Sequence, residues 1–498
     1  QVAFGTNTRQ FPQVLDTTNF AVGTFRFGTL HVVMLTVSVG SMVVLGAFLK
    51  TTRYGRAIRA TAQDSDAALQ MGIPVQRIQK ISFMLASALG GLAGVLVGMY
   101  NSNVSPASAT TAGLAAFTAA TLGGLGSLPG AVLGGLVLGV VEAFGISVWG
   151  GGVDDLITFG VLLLVLWVRP GGLLGKVPLL SAEPLTGTFL GRGRPIRLAR
   201  WQLAGLVLLA AVVVPLLASG YLLTVGTQIM IYAILALSLT LVSGSAGQVA
   251  LGQVGPMAVG AYASALLVTD AKWPFLLALP VAGLTAALVS GILMSPTWRL
   301  KGHYVSIASL GIGAVTVAAI LNLGWLTHGA LGIVAIPPPS LFGYEIVTPL
   351  GLYLLDLAVL LLAAAVVVRL QQSFLGKIWL AIGSDEVALR SAGVRPGDYK
   401  ALAFGVGSCL AGLAGSLLAH QYSYIDPSLF TSDLSLLALT TIVLGAMNSA
   451  FGAILGSLVL VGAPELMRMT QDARLLSYGV LLLLLIRFRP QGLWAKRT

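Results

Sequence analysis

Two glutamines offer the clearest chemistry in this chain, and it is the chemistry of binding. Gln248 and Gln253 stand among Gly244, Gly247, Gly252 and Gly255 in the stretch SAGQVALGQVG, inside a long apolar run. A carboxamide donates and accepts hydrogen bonds without carrying charge. Glycines that interrupt an apolar helix leave backbone groups able to face a ligand or a cavity. Gln248, Gly252 and Gln253 are therefore candidate ligand-facing residues. Close helix packing, with the glutamines bonded across helices, is the structural alternative. Asp356, near the middle of the apolar run 348–368, is a further candidate, because an acid at such a depth is a functional suspect by default. Glu142 and Glu465 recur near the ends of corresponding segments and are read as helix-end or inter-helix anchors.

Catalysis finds less support. No nucleophile or metal constellation emerges, and the four histidines His31, His303, His328 and His420 lack metal-ligand spacing. His303 and Tyr304 open a helix and suit an interfacial anchor. The single cysteine, Cys409, rules out an intramolecular disulfide and reads as a small packed residue. GGLLGKV and SFLGKIW both depart from the phosphate-loop pattern G-x-x-x-x-G-K-[ST], so nothing here binds ATP by that device. The chain is expected to be no enzyme and to need no cofactor or metal.

The elements that must position these residues follow from composition. The 498 residues are 56% apolar and only 9% charged, and the mean hydropathy is +0.92. No water-soluble fold of this size hides that much apolar surface, and the 62 glycines suit closely packed membrane helices. The expected fold class is an all-α integral membrane protein, a polytopic helical bundle of about 15 membrane segments. The segments are 29–50, 81–100, 112–126, 129–147, 153–168, 202–219, 221–242, 244–268, 273–296, 304–324, 348–368, 401–420, 434–447, 450–464 and 475–488. Those around 112–147 and 434–464 are short enough to be tilted, broken or re-entrant. The chain opens on Gln1 with no signal-peptide pattern, which reads as a fragment or a processed start.

Charge tests this map. Segments 50–80, 169–200, 297–303, 369–400 and 487–498 hold 23 of the 28 Lys and Arg but 6 of the 17 Asp and Glu. The positive-inside rule makes that side, with the C-terminus, cytoplasmic. The high isoelectric point thus reports membrane orientation, and no nucleic-acid partner is expected.

The charged stretch 55–73, GRAIRATAQDSDAALQMGI, returns 321 residues later as GKIWLAIGSDEVALRSAGV at 376–394. Identical positions are Gly55 and Gly376, Ala60 and Ala381, Asp64 and Asp385, Ala67 and Ala388, and Gly72 and Gly393. Arg56 pairs with Lys377, and Glu386 follows the second aspartate. In each copy the first glycine ends or bends the incoming segment. Asp64 or Asp385 then caps a short helix, and the last glycine suits a left-handed C-cap. The small face Ala67 and Ala68 would fit a shallow groove. The flanks repeat as well: SFMLASALGGLAGVL (82–96) parallels AFGVGSCLAGLAGSL (403–417), and TLGGLGSLPGAVLGG (121–135) parallels VLGAMNSAFGAILGS (443–457). Each half closes on an Arg-Pro stop, RPGGLLGK or RPQGLWAK. The chain therefore reads as two same-orientation repeats. A short helix presented twice is a good plug for a two-fold partner, although a solvated loop would obey the same charge rule.

These stretches, with VSGSAGQVALGQVGPMAVGAYASALL (242–267), RLKGHYVSIASLGIG (299–313) and THGALGI (327–333), resemble permeases of ABC importers for branched-chain amino acids. Residues 1–174 are similar to the C-terminal part of the first permease subunit, so the first bundle is expected to be N-terminally incomplete. Residues 201–498 are similar to the whole second subunit, and 175–200 form a basic cytoplasmic linker, so the chain resembles a fusion of the two. His328 stands where the family pattern has glycine. The resemblance implies that 55–73 and 376–394 are coupling helices seated in two cytoplasmic ABC ATPase subunits. It further implies a periplasmic or extracellular substrate-binding protein, a small-molecule substrate, and a lipid-embedded location in the bacterial cytoplasmic (inner) membrane. Branched-chain or related apolar amino acids are the expected cargo, with urea or short amides as the alternative and an ion-coupled transporter as a more distant one. Gln248, Gly252, Gln253 and Asp356 become substrate-pathway candidates.

Overall fold

The computed structural model describes residues 9–463 except 13–18, 23–24, 105–107, 125, 151–152, 170, 176–214, 216–218, 300–302 and 342, and then 479–480, 483 and 492–494. The expected segments 202–219 and 475–488, nearly all of the linker 175–200, and Glu465 lie outside the described residues. Two compact units emerge, residues 1–137 with 171–181, and residues 138–170 with 182–498.

In the first unit, strand β1 (Arg9–Gln10) pairs antiparallel with β4 (Asn103–Val104), and β2 (Asn19–Val22) forms a hairpin with β3 (Phe25–Gly28). Helix α1 (Thr29–Thr51) follows and buries none of its residues against the protein. A helix apolar all round suits a membrane span. The chain then turns at Thr52, whose hydroxyl accepts the Gly55 N–H, into α2 (Arg53–Gln63), α3 (Ser65–Gln70) and the long α4 (Val75–Asn101). Helices α5 (Ser108–Gly123) and α6 (Leu128–Trp149) come next, α6 running on into the second unit.

The second unit adds α7 (Asp154–Val168), α8 (Gly220–Leu239), α9 (Val254–Thr269), α10 (Phe275–Met294) and α11 (His303–Asn322), with the short α12 (Gly324–Thr327) bent 74° from it. Strand β5 (Ile333–Val334) and the hairpin β6 (Ser340–Leu341) and β7 (Tyr344–Glu345) lead to α13 (Pro349–Gln372), α14 (Phe374–Ile382), α15 (Glu386–Ser391) and α16 (Pro396–Tyr422). Strand β8 (Tyr424–Ile425) pairs with β5, and α17 (Ser432–Gly445) and α18 (Ala450–Ser457) follow. Helices α8 and α16 are buried along most of their length and form the core, with α9 and α10 packed on α16.

That packing depends on small residues, as it must where lipid supplies no hydrophobic drive between helices. A Cβ on Gly415 of α16 would lie 1.9 Å from the Met257 carbonyl oxygen of α9, and one on Gly412 would lie 2.5 Å from Ala286 of α10. Gly415→Val is expected to lower thermal stability in detergent by about 1–3 kcal/mol. Gly405→Val on the same helix, where a Cβ meets nothing within 4 Å, is expected to change it little. Equal melting temperatures for both variants would refute this account of the seam.

Eight helices among the described residues are long and apolar enough to cross a membrane, or nine if α11 and its bent continuation count as one. Three more apolar helices, 156–168, 254–269 and 450–462, are shorter. Of the fifteen expected segments, 202–219 and 475–488 lie outside the described residues, and 153–168, 244–268 and 450–464 fall on the three shorter helices. The expected helix 244–268 needs correction in particular. Its first part is the π-helical end of α8 (Thr240–Ser245), residues 246–253 are not helical, and only α9 remains. Helices α4 and α16 begin at residues 75 and 396, earlier than the expected 81 and 401, since hydropathy marks the apolar part of a helix rather than its start.

Candidate functional site

The two charged stretches fold alike. One Asp64 carboxylate oxygen accepts the N–H groups of Asp66 and Ala67, both at 2.9 Å. Asp385 does the same for Val387 and Ala388, at 2.8 and 3.0 Å. Each aspartate thus satisfies two amides that a helix start leaves without partners. The aspartate N–H groups in turn reach the carbonyls of Ala60 (3.1 Å) and Ala381 (2.9 Å), closing the preceding helix. Both capped helices are six residues long. Each ends on a left-handed glycine, Gly72 at φ 81° and Gly393 at φ 82°, a conformation that costs a residue with a Cβ.

Other expectations shift. Gly55 and Gly376 do not end the incoming helices, which stop at residues 51 and 372. They are buried in the first turn of the next helix, where a Cβ would lie 2.5 Å from the Phe48 carbonyl oxygen and 2.2 Å from that of Gln371. Their role is a tight corner rather than a bend. Ala68 is buried within the unit, so it cannot join Ala67 on an outer face. The outer face of α3 is Asp66, Ala67, Leu69 and Gln70, continued by Met71, and that of α15 carries Val387, Ala388 and Arg390. Arg56 and Lys377 are exposed one helix earlier. Glu386 turns inward instead, its Oε1 2.8 Å from the ammonium of Lys400 and 3.6 Å from Arg390.

The second candidate region is the break at 246–253. Serine hydroxyls serve three backbone donors at or beside it, two of them from distant elements. The Leu251 N–H reaches Ser309 Oγ at 2.9 Å, and the Val254 N–H reaches Ser435 Oγ at 2.9 Å. Ser243 Oγ accepts from Ala250 N–H at 3.2 Å and donates to the Gln248 carbonyl at 3.1 Å. At the end of α8, Ser245 Oγ lies 2.9 Å from Asn448 Oδ1, which also accepts from Gln371 Nε2 at 3.2 Å. A Cβ on Gly252 would sit 1.8 Å from the Ser309 carbonyl oxygen, so only glycine allows that approach. Gln248 and Gln253 are buried, and the Oε1 of each has no hydrogen-bond partner among the described residues. Most buried polar atoms are paired, so two orphaned acceptors five residues apart are unusual. The cross-helix bonding expected of packed glutamines is not what these oxygens make.

Gln248, Gly252 and Gln253 thus share one break, and Asp356 stands on a different helix. It is buried on α13, fifteen residues before Gln371 and so about 22 Å along the helix from the contact at Asn448. Ser309, Ser435, Asn448 and Gln371 escape sequence reading, because isolated polar residues in an apolar chain carry no pattern. His420 is a core strut: its Nδ1–H donates to the Pro337 carbonyl (2.8 Å), and Ser264, itself bonded by Ser416, meets Nε2 at 3.0 Å. Among the described residues no three His, Cys, Asp or Glu side chains converge as metal ligands.

The described residues thus build a helical membrane protein with a buried helix break and the same capped helix made twice. The branched-chain amino acid transport system permease component family matches residues 1–166 and 221–488, and the chain belongs to it. The LivM branched-chain amino acid permease protein of Escherichia coli K12 is 36% identical over 310 residues, covering 58% of this chain and 73% of LivM. BraD of Pseudomonas aeruginosa is 44% identical over 147 residues, and LivH of E. coli K12 40% over 148. Each of those two covers 30% of this chain, which spans about half (48%) of their length. The matches are consistent with a fusion of two permease subunits. No solved structure matches the chain.

Proposed function

We propose that this chain is the transmembrane permease of an ATP-driven importer for branched-chain or related apolar amino acids, its two bundles being same-orientation repeats. Residues 1–174 supply one bundle, 201–498 the other, and 175–200 link them. The chain sits in the bacterial inner membrane with its basic loops and C-terminus in the cytoplasm. Two separate ATPase subunits seat on 55–73 and 376–394, hydrolyse the ATP, and drive alternating access, and a binding protein delivers the substrate from outside. The observation that carries this reading is the capped six-residue helix built twice with the same cap, the same closing glycine and an exposed outer face. The break at 246–253 is the proposed station on the substrate path.

Uptake of labelled leucine into vesicles containing permease, ATPases and binding protein tests it. ATP inside the vesicles is expected to drive leucine uptake that unlabelled urea does not compete. ATP-driven urea uptake with no leucine uptake would keep the machine and replace its cargo. Uptake driven by an ion gradient without ATP would overturn the proposal and turn attention to Asp356.

A further inference from the structure

Lys400 is a lysine in a place lysines rarely occupy. It lies in the second turn of α16 with its side chain 1% exposed, and its ammonium meets Glu386 Oε1 at 2.8 Å. Glu386 opens α15, so the pair fastens the second capped helix to the helix that forms the core. A second tie runs alongside, where the fully buried Trp379 of α14 donates its indole N–H to the Tyr399 carbonyl at 2.8 Å. From this anchor α16 continues past Gly407, where a Cβ would lie 2.8 Å from the Ser238 carbonyl of α8 and 3.7 Å from Gln253 Nε2. A rigid helix therefore joins the capped helix to one of the two glutamines of the break.

Among the described residues the first unit shows no matching ion pair. At the positions matching Glu386, Lys400, Trp379 and Tyr399 it has Ser65, Gln79, Ile58 and Ile78. Ser65 and Gln79 are exposed. The same short helix is thus capped identically in both units but tied by an ion pair in the second.

We infer that Lys400 is a positioning residue that passes displacement of the second capped helix to α16 and the helix break, making that helix the stiff input of the transporter and its counterpart at 65–70 the compliant one. This rests on the proposed docking role of both helices. Breaking a buried pair leaves the remaining charge poorly compensated, so the helix loses its fixed seat. Lys400 is not on the outer face, and its replacement leaves the docking surface in place.

The experiment uses the full transporter in vesicles and reads leucine moved per ATP hydrolysed, alongside co-purification of the ATPases. Lys400→Met is expected to retain the ATPases and lower that ratio by about tenfold, whereas Gln79→Met in the first unit leaves it unchanged. Glu386→Lys alone is expected to uncouple, and Glu386→Lys combined with Lys400→Glu to recover most of the ratio. The exchanged pair carries the test should Lys400→Met fail to fold. An unchanged ratio in Lys400→Met with ATPases bound, or an exchanged pair no better than Glu386→Lys alone, would overturn the inference and leave docking intact. Failure of the wild-type permease to retain ATPases would overturn the docking proposal itself.

Discussion

Replacing Asp64 and Asp385 together by lysine is expected to weaken retention of the ATPase subunits by about 30-fold and to reduce ATP-driven uptake in step, with membrane insertion intact. The size follows from the caps. Each carboxylate holds two backbone N–H groups of a six-residue helix, and losing such a cap costs about 0.5–2 kcal/mol. A single turn and a half cannot sustain itself in water without help, so each helix frays. Lysine adds a positive charge at the positive end of the helix dipole. Two losses of about 1 kcal/mol multiply to roughly 30-fold in an association that needs both helices. Asp64→Asn with Asp385→Asn separates the causes, because asparagine keeps an acceptor and caps about as well. Near-normal retention by the asparagine pair would assign the effect to helix capping. Equal loss in both pairs would assign it to a carboxylate contact on the partner. Unchanged retention and uptake in the lysine pair would return 55–73 and 376–394 to ordinary solvated loops.

The features legible in the sequence were those whose physics is local. Asp64 and Asp385 cap helices two and three residues away, and Gly72 and Gly393 close them within one turn, so residue type and spacing suffice. In sequence Gly55 reads as ending or bending the incoming segment, yet its reason is the Phe48 carbonyl packed where a side chain would begin. Ala68 looks interchangeable with Ala67 in sequence; only the packing of α3 decides which faces inward. The break at 246–253 is hidden inside the apolar run 244–268, since hydropathy does not distinguish a helix from an irregular stretch with amides bonded elsewhere. Its partners Ser309 and Ser435 lie 58 and 181 residues from the amides they serve. In the sequence Lys400 belongs with the other cations of the basic segments, and nothing there separates a buried lysine from an exposed one. Its role follows from a partner fourteen residues earlier and from the absence of both at 65 and 79.

Gln248→Met combined with Gln253→Met is expected to move stability and transport in opposite directions, and that opposition makes the variant decisive. Both glutamines are buried with an unpartnered Oε1, and an orphaned acceptor costs about 1–3 kcal/mol of desolvation. Methionine keeps the shape without the polar group, so the double variant is expected to melt at the same temperature as the parent or higher. Transport is expected to fall if these oxygens serve the substrate. The amide donors of Leu251 and Val254 are already taken by serine hydroxyls, while the two glutamine Oε1 atoms remain acceptors without a partner among the described residues. Acceptors suit the ammonium end of an amino acid, and a hydrogen bond to a charged group is worth about 1.5–3 kcal/mol. Losing two would slow uptake by about 100-fold or more. The measurements are thermal unfolding of the purified permease and ATP-driven leucine uptake by the same preparation. A more stable protein that no longer transports would place the substrate path through the break. A less stable protein with normal uptake would make the glutamines packing groups and move the path elsewhere, and a fall in both would show that the break is needed for the fold before it is needed for transport.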